Sequence, residues 1–168
     1  MTHLKIRRAD KKDMHSVAKF IRSSADWYRP FLAEDDLKEH YVDKTWIDEN
    51  YQKRDFYIGI NPMEEKVGTI SMQYFGDTTY LGYIYLDTQH VGKGHGRQLI
   101  DHARIISESK NQDEMVLIAH PKAKWATKAY EKYGFEKVET QKEKILKYKN
   151  GFLKPYYEEG FHLYRFNL

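Results

Sequence analysis

The periodicity of the chain changes abruptly across Val91-Gly92-Lys93-Gly94-His95-Gly96-Arg97. Before this stretch, Tyr80-Leu81-Gly82-Tyr83-Ile84-Tyr85-Leu86 reads as a strand; after it, Leu99, Ile100, Ala103 and Ile106 recur at helical spacing. Alternate glycines at a strand-to-helix junction let the backbone turn tightly and bring several N–H groups to one point. The helix start adds unpaired donors and a partial positive charge. Such a junction suits a phosphate, with Lys93 and Arg97 adding charge at the rim. A flexible turn with no ligand is the competing explanation. The G-x-G-x-x-G spacing of dinucleotide sites is not met, because these glycines strictly alternate. A P-loop is not met either, since Lys93 is followed by Gly94 and not by Ser or Thr.

The remaining patterns frame this junction. Leu4-Lys5-Ile6-Arg7 alternates as a short strand, and Asp10 with Asp13 can open a helix whose apolar positions are Met14, Val17, Ala18 and Ile21. A second helix is expected from about Glu34 to Tyr51, with Leu37, Tyr41 and Thr45 on one side and Glu34-Asp35-Asp36 at its start. Three strands follow at Phe56–Ile60, Val67–Tyr74 and Tyr80–Leu86, joined by short turns as in an antiparallel meander. Met115–Ala119 reads as a buried strand. A helix between it and the preceding strand implies that the two run parallel. Trp125, Ala126, Ala129, Tyr130 and Tyr133 share a helical face that Gly134 closes, and strands are expected at Phe135–Thr140 and Phe161–Phe166. The Lys- and Tyr-rich stretch between them, with Asn150-Gly151 as a turn signal, reads as a surface hairpin. The alternatives are a segment that closes over a substrate or one that pairs with a second subunit. These elements make an α/β chain with a mixed sheet flanked by helices, in one domain spanning residues 1–168.

Composition narrows the function classes. With 28 basic and 25 acidic residues the net charge is +3, too balanced for a nucleic-acid-binding face. The absence of cysteine removes disulfide scaffolds, thiolate zinc sites and a cysteine nucleophile. The histidines show no metal-ligand spacing, and His102 is placed on the exposed side of its helix; no metal is expected. No apolar run approaches the ~20 residues of a membrane span, and the N-terminus has no signal-peptide core, so a cytoplasmic protein without membrane association is expected.

Leu86 to Leu99, with Gly94 and Gly96 on the two small positions of an Arg/Gln-x-x-Gly-x-Gly/Ala loop, resembles the acetyl-CoA signature of the GCN5-related N-acetyltransferases (GNAT family). Ala126 followed by Ala129-Tyr130-Glu131-Lys132-Tyr133-Gly134-Phe135 is similar to that family's second signature, Ala-x-x-x-Tyr-Glu-Lys-x-Gly-Phe. The order of elements fits from Leu4 to Phe166. The resemblance implies a GNAT-like fold with a mostly antiparallel sheet and one splayed parallel pair. It also implies acetyl-CoA as cofactor, coenzyme A as product, and direct attack of a primary amine on the thioester in a ternary complex. Cofactor contacts would come from Leu86, Val91, Gly92, Lys93, Gly94, His95, Gly96, Arg97, Ala123 and Ala126. Val91 stands where the family usually has Arg or Gln, and Ala123 where many members have Asn; both departures bear on affinity.

For chemistry, the resemblance places Tyr130 as the acid that protonates the leaving thiolate, with a backbone N–H near Leu86 on the thioester oxygen. Tyr130 as an ordinary core aromatic is the competing explanation. The general base has no motif. Tyr80 stands where some relatives carry Glu, and His120, just after its strand, titrates in the right range. Glu34, Asp35 and Glu39 either draw in a cationic amine or are solvated helix surface. The acceptor is a small-molecule or peptide amine, and a homodimer through the C-terminal strands is open. A non-catalytic acyl-CoA sensor is the alternative from another class, and a nucleotide-type phosphate binder a third.

Overall fold

The computed structural model describes residues 3–168; the side chain of Glu39 lies outside the described set. Seven strands hydrogen-bond in the order β1-β2-β3-β4-β5-β7-β6: β1 Lys5–Arg8, β2 Asp55–Ile60, β3 Lys66–Phe75, β4 Thr78–Leu86, β5 Glu114–Ala119, β6 Glu136–Glu139 and β7 His162–Asn167. The helices are α1 Met14–Tyr28, α2 Glu34–Leu37, α3 Lys44–Lys53, α4 His95–Ser109, α5 Lys124–Tyr133 and α6 Lys142–Lys147. The expected parallel pair is present, with Thr78, Thr79 and Tyr80 of β4 beside Glu114, Met115 and Val116 of β5. The pairs β1/β2, β2/β3, β5/β7 and β6/β7 are antiparallel. The chain divides into two compact units, residues up to Gln73 with Leu81–Ile106, and Tyr74–Tyr80 with Ser107–Leu168.

In the first unit, alternation along β2 separates two packed faces. Phe56 turns toward Met14, Val17, Ala18 and Ile21 of α1 and Ile47 of α3, with Tyr83 and Tyr85 of β4 against the same cluster. Tyr57 and Gly59 turn the other way, toward α4: the Tyr57 ring meets His102 edge-on at 5.0 Å, and a side chain on Gly59 would meet Leu99. His102 is thus half-buried, not on an exposed helix side, because α4 lays that edge on β2. Asp10 and Asp13 form the expected capping box ahead of α1. Asp13, 2% exposed, also takes Arg7 of β1 at 2.6 Å and Lys66 of β3 at 2.7 Å. The Arg7 hydrogen bond leads in holding its carboxyl well below the usual range.

The long helix expected from Glu34 to Tyr51 is two helices. Asp43 takes an extended conformation and accepts from the Trp46 N–H at 2.9 Å, which restarts the helix. The interruption buries Leu37, Val42 and Ile47, whose spacing of five would scatter around a continuous helix; Tyr41 and Thr45 stay exposed.

The second unit packs both faces of β5 and β7. Val116 of β5 and Leu163 of β7 join Tyr80, Ile145 and Leu153, with Phe152 and Tyr156 packed against them. The stretch after β6 is therefore core, not a surface hairpin: α6 and the turn after it insert Ile145 and Leu153, both fully buried. Asn150 and Gly151 do take the left-handed turn conformation. Glu114, 5% exposed, anchors this stretch to the start of the parallel pair. It accepts from the Tyr148 hydroxyl at 2.6 Å and the Thr78 hydroxyl at 3.3 Å, and pairs with Lys149 at 3.2 Å. On the opposite face α5 covers Tyr164 and Phe166. Its buried position is Thr127, with the cap residue Ala123 buried before it, while Trp125 is 41% exposed and Ala129 is exposed, so the helix is rotated from the face its aromatic residues suggest.

Candidate active site

The phosphate-type loop is held at both ends by the first unit. Asp87, the first residue after β4, donates its N–H to the Val67 carbonyl at 2.8 Å, and its side chain accepts from Gln89 N–H at 3.0 Å, starting a short turn through His90. Gly92 and Gly94 then take positive φ of 79° and 78°, a region that costs other residues about 1–2 kcal/mol. The chain enters α4 at His95. An added Cβ at Gly92 or Gly96 would meet nothing within 4 Å, so the glycine surface of the loop is open. The far end is fixed by close approach. Gly59 and Gly68 are cross-strand partners, and a Cβ on Gly68 would lie 2.7 Å from Leu86 Cδ2, 3.1 Å from the Tyr85 carbonyl and 3.2 Å from Leu99 Cδ1. Strand β4 and helix α4 can converge on β3 because that side chain is missing. Gln98, on the first turn of α4, accepts from the Leu4 N–H at 2.8 Å and ties the helix start to the first strand.

The predicted loop residues are thus contiguous: Val91, Gly92, Lys93, Gly94 and Arg97 are exposed, Gly96 and Leu86 are half-buried, and His95 is buried at 1%. An open glycine loop leading into a fifteen-residue helix presents backbone donors and a positive helix end to an anion. Burial leads in lowering the His95 pKa, followed by His90 and Lys93.

The other predicted residues, His120, Ala123, Ala126 and Tyr130, lie in the second unit. Tyr130 is half-buried on α5, its ring 6.1 Å from Phe135 and 6.4 Å from Tyr164. Burial, then Tyr164, pushes its phenol well above the usual range, which keeps it a proton carrier at neutral pH. Gly134 ends α5 at φ 123°, and the Phe135 N–H returns to the Tyr130 carbonyl at 3.0 Å, fixing the helix turn that carries the phenol. Ala123 is buried and caps α5 with its backbone; Ala126 is half-buried. His120 accepts from the Lys122 N–H through Nδ1 at 3.1 Å, which leaves the ring proton of its neutral form on Nε2, beside Gly160. Tyr80 is 4% exposed and stacks on Tyr156 at 5.2 Å.

Two features of the first unit escaped the sequence. His40, 4% exposed, is bonded through Nε2 to the Tyr85 hydroxyl at 3.0 Å and packs on Tyr28 at 4.7 Å. Burial pushes it down to about 4, against the Leu37 backbone. Trp46 donates to the Tyr83 hydroxyl at 3.2 Å beside it. No spacing announces these pairs, since their members lie on α1, α3, the turn after α2, and β4. Asp35 pairs with Lys38 at 3.1 Å on the exposed surface of α2. Among the described residues no three His, Cys, Asp or Glu side chains gather where they could hold a metal, and no helix is long and apolar enough to cross a membrane.

A mixed sheet with one parallel pair, and an open glycine loop between the fourth strand and its helix, match the architecture of the GNAT acetyltransferases. A family model described as an acetyltransferase (GNAT) domain matches residues 31–137. The chain belongs to the GNAT family and is an acetyl-CoA-dependent N-acetyltransferase. No curated protein sequence matches it. Among solved structures it is similar to the PaiA N-acetyltransferase of Thermoplasma acidophilum in complex with coenzyme A, at 18% identity and TM-score 0.75, covering 99% of both chains. It is similar to a GNAT-family acetyltransferase of Staphylococcus aureus Mu50, at 19% identity and TM-score 0.74, again covering 99% of each. All of this chain also superposes on 36% of the N-acetylglutamate synthase of Neisseria gonorrhoeae, complexed with coenzyme A and N-acetyl-glutamate, at 14% identity and TM-score 0.72.

Proposed function

We propose that residues 1–168 act as one cytoplasmic acetyltransferase domain that acetylates a primary amine, on a small molecule or a peptide, by direct attack in a ternary complex. The observation that carries this reading is the loop from Gly92 to Gly96. Its left-handed glycines and open glycine surface at the start of α4 leave backbone donors for the cofactor's pyrophosphate. Backbone donors of this kind do not depend on the side chain missing at Val91. The Ala123 main chain, by contrast, is engaged at the start of α5, its N–H on the His120 carbonyl and its carbonyl taking the Ala126 and Thr127 N–H groups. In the reaction the amine nitrogen bonds to the thioester carbon and the carbon–sulfur bond breaks. The thiolate takes the proton of Tyr130, and the amine gives its own to water or to His120 after that ring releases the Lys122 N–H. Burial keeps the Tyr130 phenol protonated at neutral pH, so its proton is in place when the thiolate forms. The same burial makes it the weaker acid of the pair, which leaves the transfer to be driven by collapse of the tetrahedral intermediate. The backbone N–H near Leu86 is assigned to the thioester oxygen on the strength of the motif.

Calorimetric titration with acetyl-CoA, coenzyme A and ATP tests the reading, followed by thiol release with a panel of polyamines, amino acids and peptides. Micromolar acetyl-CoA binding, no response to ATP and amine-dependent thiol release are expected. Binding without thiol release from any amine would move the protein to the sensor class, and no acetyl-CoA binding would sink both.

A further inference from the structure

Tyr83 and Tyr85 are half-buried on the face of β4 that packs against the α1 and α3 cluster. Their hydroxyls are held by groups from different elements. Trp46 Nε1 of α3 donates to the Tyr83 oxygen at 3.2 Å, so the direction of that bond is fixed. His40, in the turn after α2, meets the Tyr85 oxygen through Nε2 at 3.0 Å, a bond that can run either way. All of these residues belong to the first unit.

The surroundings of His40 set the direction of the second bond. Its ring is 4% exposed, packed on Tyr28 at 4.7 Å and edge-on to Tyr85 at 5.8 Å. Nδ1 is buried and makes no full hydrogen bond; the backbone group that acts on the ring against burial is that of Leu37, as a nearby carbonyl would. A ring nitrogen turned toward a carbonyl carries the proton, because a lone pair there would be repelled. A neutral imidazole has one N–H, so Nε2 offers its lone pair and Tyr85 is the donor. Burial holds His40 down to about 4, which keeps the ring neutral and this bond in place at neutral pH. Commitment of the proton to His40 fixes what Tyr85 can do. Toward any further group its oxygen acts only as an acceptor. An amine has N–H groups to give and a thioester has none, so a phenol oriented in this way suits the amine and not the acyl group. Its place on the strand suits it as well. The backbone N–H near Leu86 is the one assigned to the thioester oxygen, and Leu86 turns its own side chain the other way, toward the Gly68 and Leu99 side. Tyr85 therefore flanks that N–H on the face away from α4, the helix whose start is assigned to the cofactor's pyrophosphate.

We propose that the Tyr85 hydroxyl holds the acceptor amine by taking one of its N–H groups, and that His40 is a positioning residue that turns the Tyr85 lone pairs toward it. This assignment rests on the acetyl-transfer reading given above. Tyr85 takes no proton. The amine nitrogen bonds to the thioester carbon, becomes cationic, and passes its proton to water or His120 as before. The N–H···O bond to Tyr85 strengthens as that charge develops, since bonds with an ionised partner are about twice as strong as neutral ones. The pair therefore acts on the transition state more than on the bound amine.

The test is steady-state thiol release with the fastest amine of the panel above, on wild type, Tyr85→Phe, His40→Leu, His40→Gln and the double variant Tyr85→Phe/His40→Leu. Calorimetry with coenzyme A runs in parallel and reports which variants keep the folded cofactor site. The amide oxygen of Gln can accept from Tyr85 where Nε2 did, and Leu cannot. Tyr85→Phe is expected to lower kcat roughly 10- to 100-fold with KM changed less than about threefold. His40→Leu should lower kcat about tenfold, and the double variant should be no worse than Tyr85→Phe, because the two residues act as one. His40→Gln should return to within about threefold of wild type, with coenzyme A affinity within about twofold throughout. Unchanged kcat in Tyr85→Phe overturns this assignment and leaves the acetyl-transfer reading standing. Additive losses in the double variant do the same, as does a His40→Gln variant as slow as His40→Leu. Should His40→Leu lose coenzyme A binding, Tyr85→Phe and His40→Gln decide the matter by themselves. Absence of thiol release from the wild type with every amine overturns the acetyl-transfer reading and this assignment together.

Discussion

The glycine loop and the helix that carries Tyr130 are built on opposite principles. The loop is shaped by what its residues lack: Gly92 and Gly94 reach left-handed conformations, and Gly68 makes room for Leu86, the Tyr85 carbonyl and Leu99. Its function is assigned to backbone donors, so an added side chain is harmful where space is closed, as at Gly68, and costs only conformation where it is open, as at Gly92. The α5 region is shaped by what its residues carry. Tyr130 is set by packing on Phe135 and Tyr164, and the stretch after β6 is tied to Glu114 by the Tyr148 hydroxyl and the Lys149 ammonium. There, removal of a single functional group is the harmful change. A backbone site fails by loss of conformation or space and a side-chain site by chemical loss.

The largest expected effect breaks the comparison on the side-chain half. Tyr130→Phe keeps the ring contacts and deletes the proton, so thiol release at saturating substrate should fall about 100-fold or more while the calorimetric affinity for coenzyme A stays within about twofold. Unchanged turnover would return Tyr130 to the role of a core aromatic.

An effect of intermediate size asks whether the loop-bearing unit has a side-chain weakness of its own. His40 stays neutral in the folded chain down to about 4, whereas in the unfolded chain it takes up its proton near ~6.5. Stability is therefore full above about pH 6.5 and is lost as pH falls toward about 4, by roughly 3 kcal/mol. Urea unfolding across that range should show the loss, and His40→Gln should flatten it. An equally steep wild-type and variant profile would place the acid sensitivity elsewhere.

The smallest effect sharpens the loop half. Gly92→Ala meets no neighbouring atom, so its cost is the left-handed conformation, about 1 kcal/mol. Calorimetry should show weaker coenzyme A binding with turnover of the bound complex nearly intact. A fall in turnover with unchanged affinity would mean that the loop does more than hold the cofactor.

Much of this was legible before any coordinates. The strand patterns from Phe56 to Leu86, the parallel β4/β5 pair, the Asp10–Asp13 cap and the Gly134 stop all rest on local periodicity or on single residues with strong conformational preferences. Where such signals are absent, the reading slipped. The residues from Glu34 to Tyr51 are rich in helix formers, and only the tertiary demand to bury Val42 together with Leu37 and Ile47 shows why Asp43 interrupts them. The residues after β6 look like surface because lysines and tyrosines dominate their composition. The aromatic core that receives Ile145 and Leu153 is assembled from β3, β4, β5, β6 and β7.

The sequence by itself determined the order of the strands, the backbone-lined loop and the two family signatures, because glycine spacing and hydrophobic period are local properties of the chain. Tertiary structure decided that β7 lies between β5 and β6, that His40 meets Tyr85, and that Trp46 meets Tyr83. Those partners are brought together by strand pairing and helix packing across long sequence separations, and no local pattern encodes which distant residue a side chain will face.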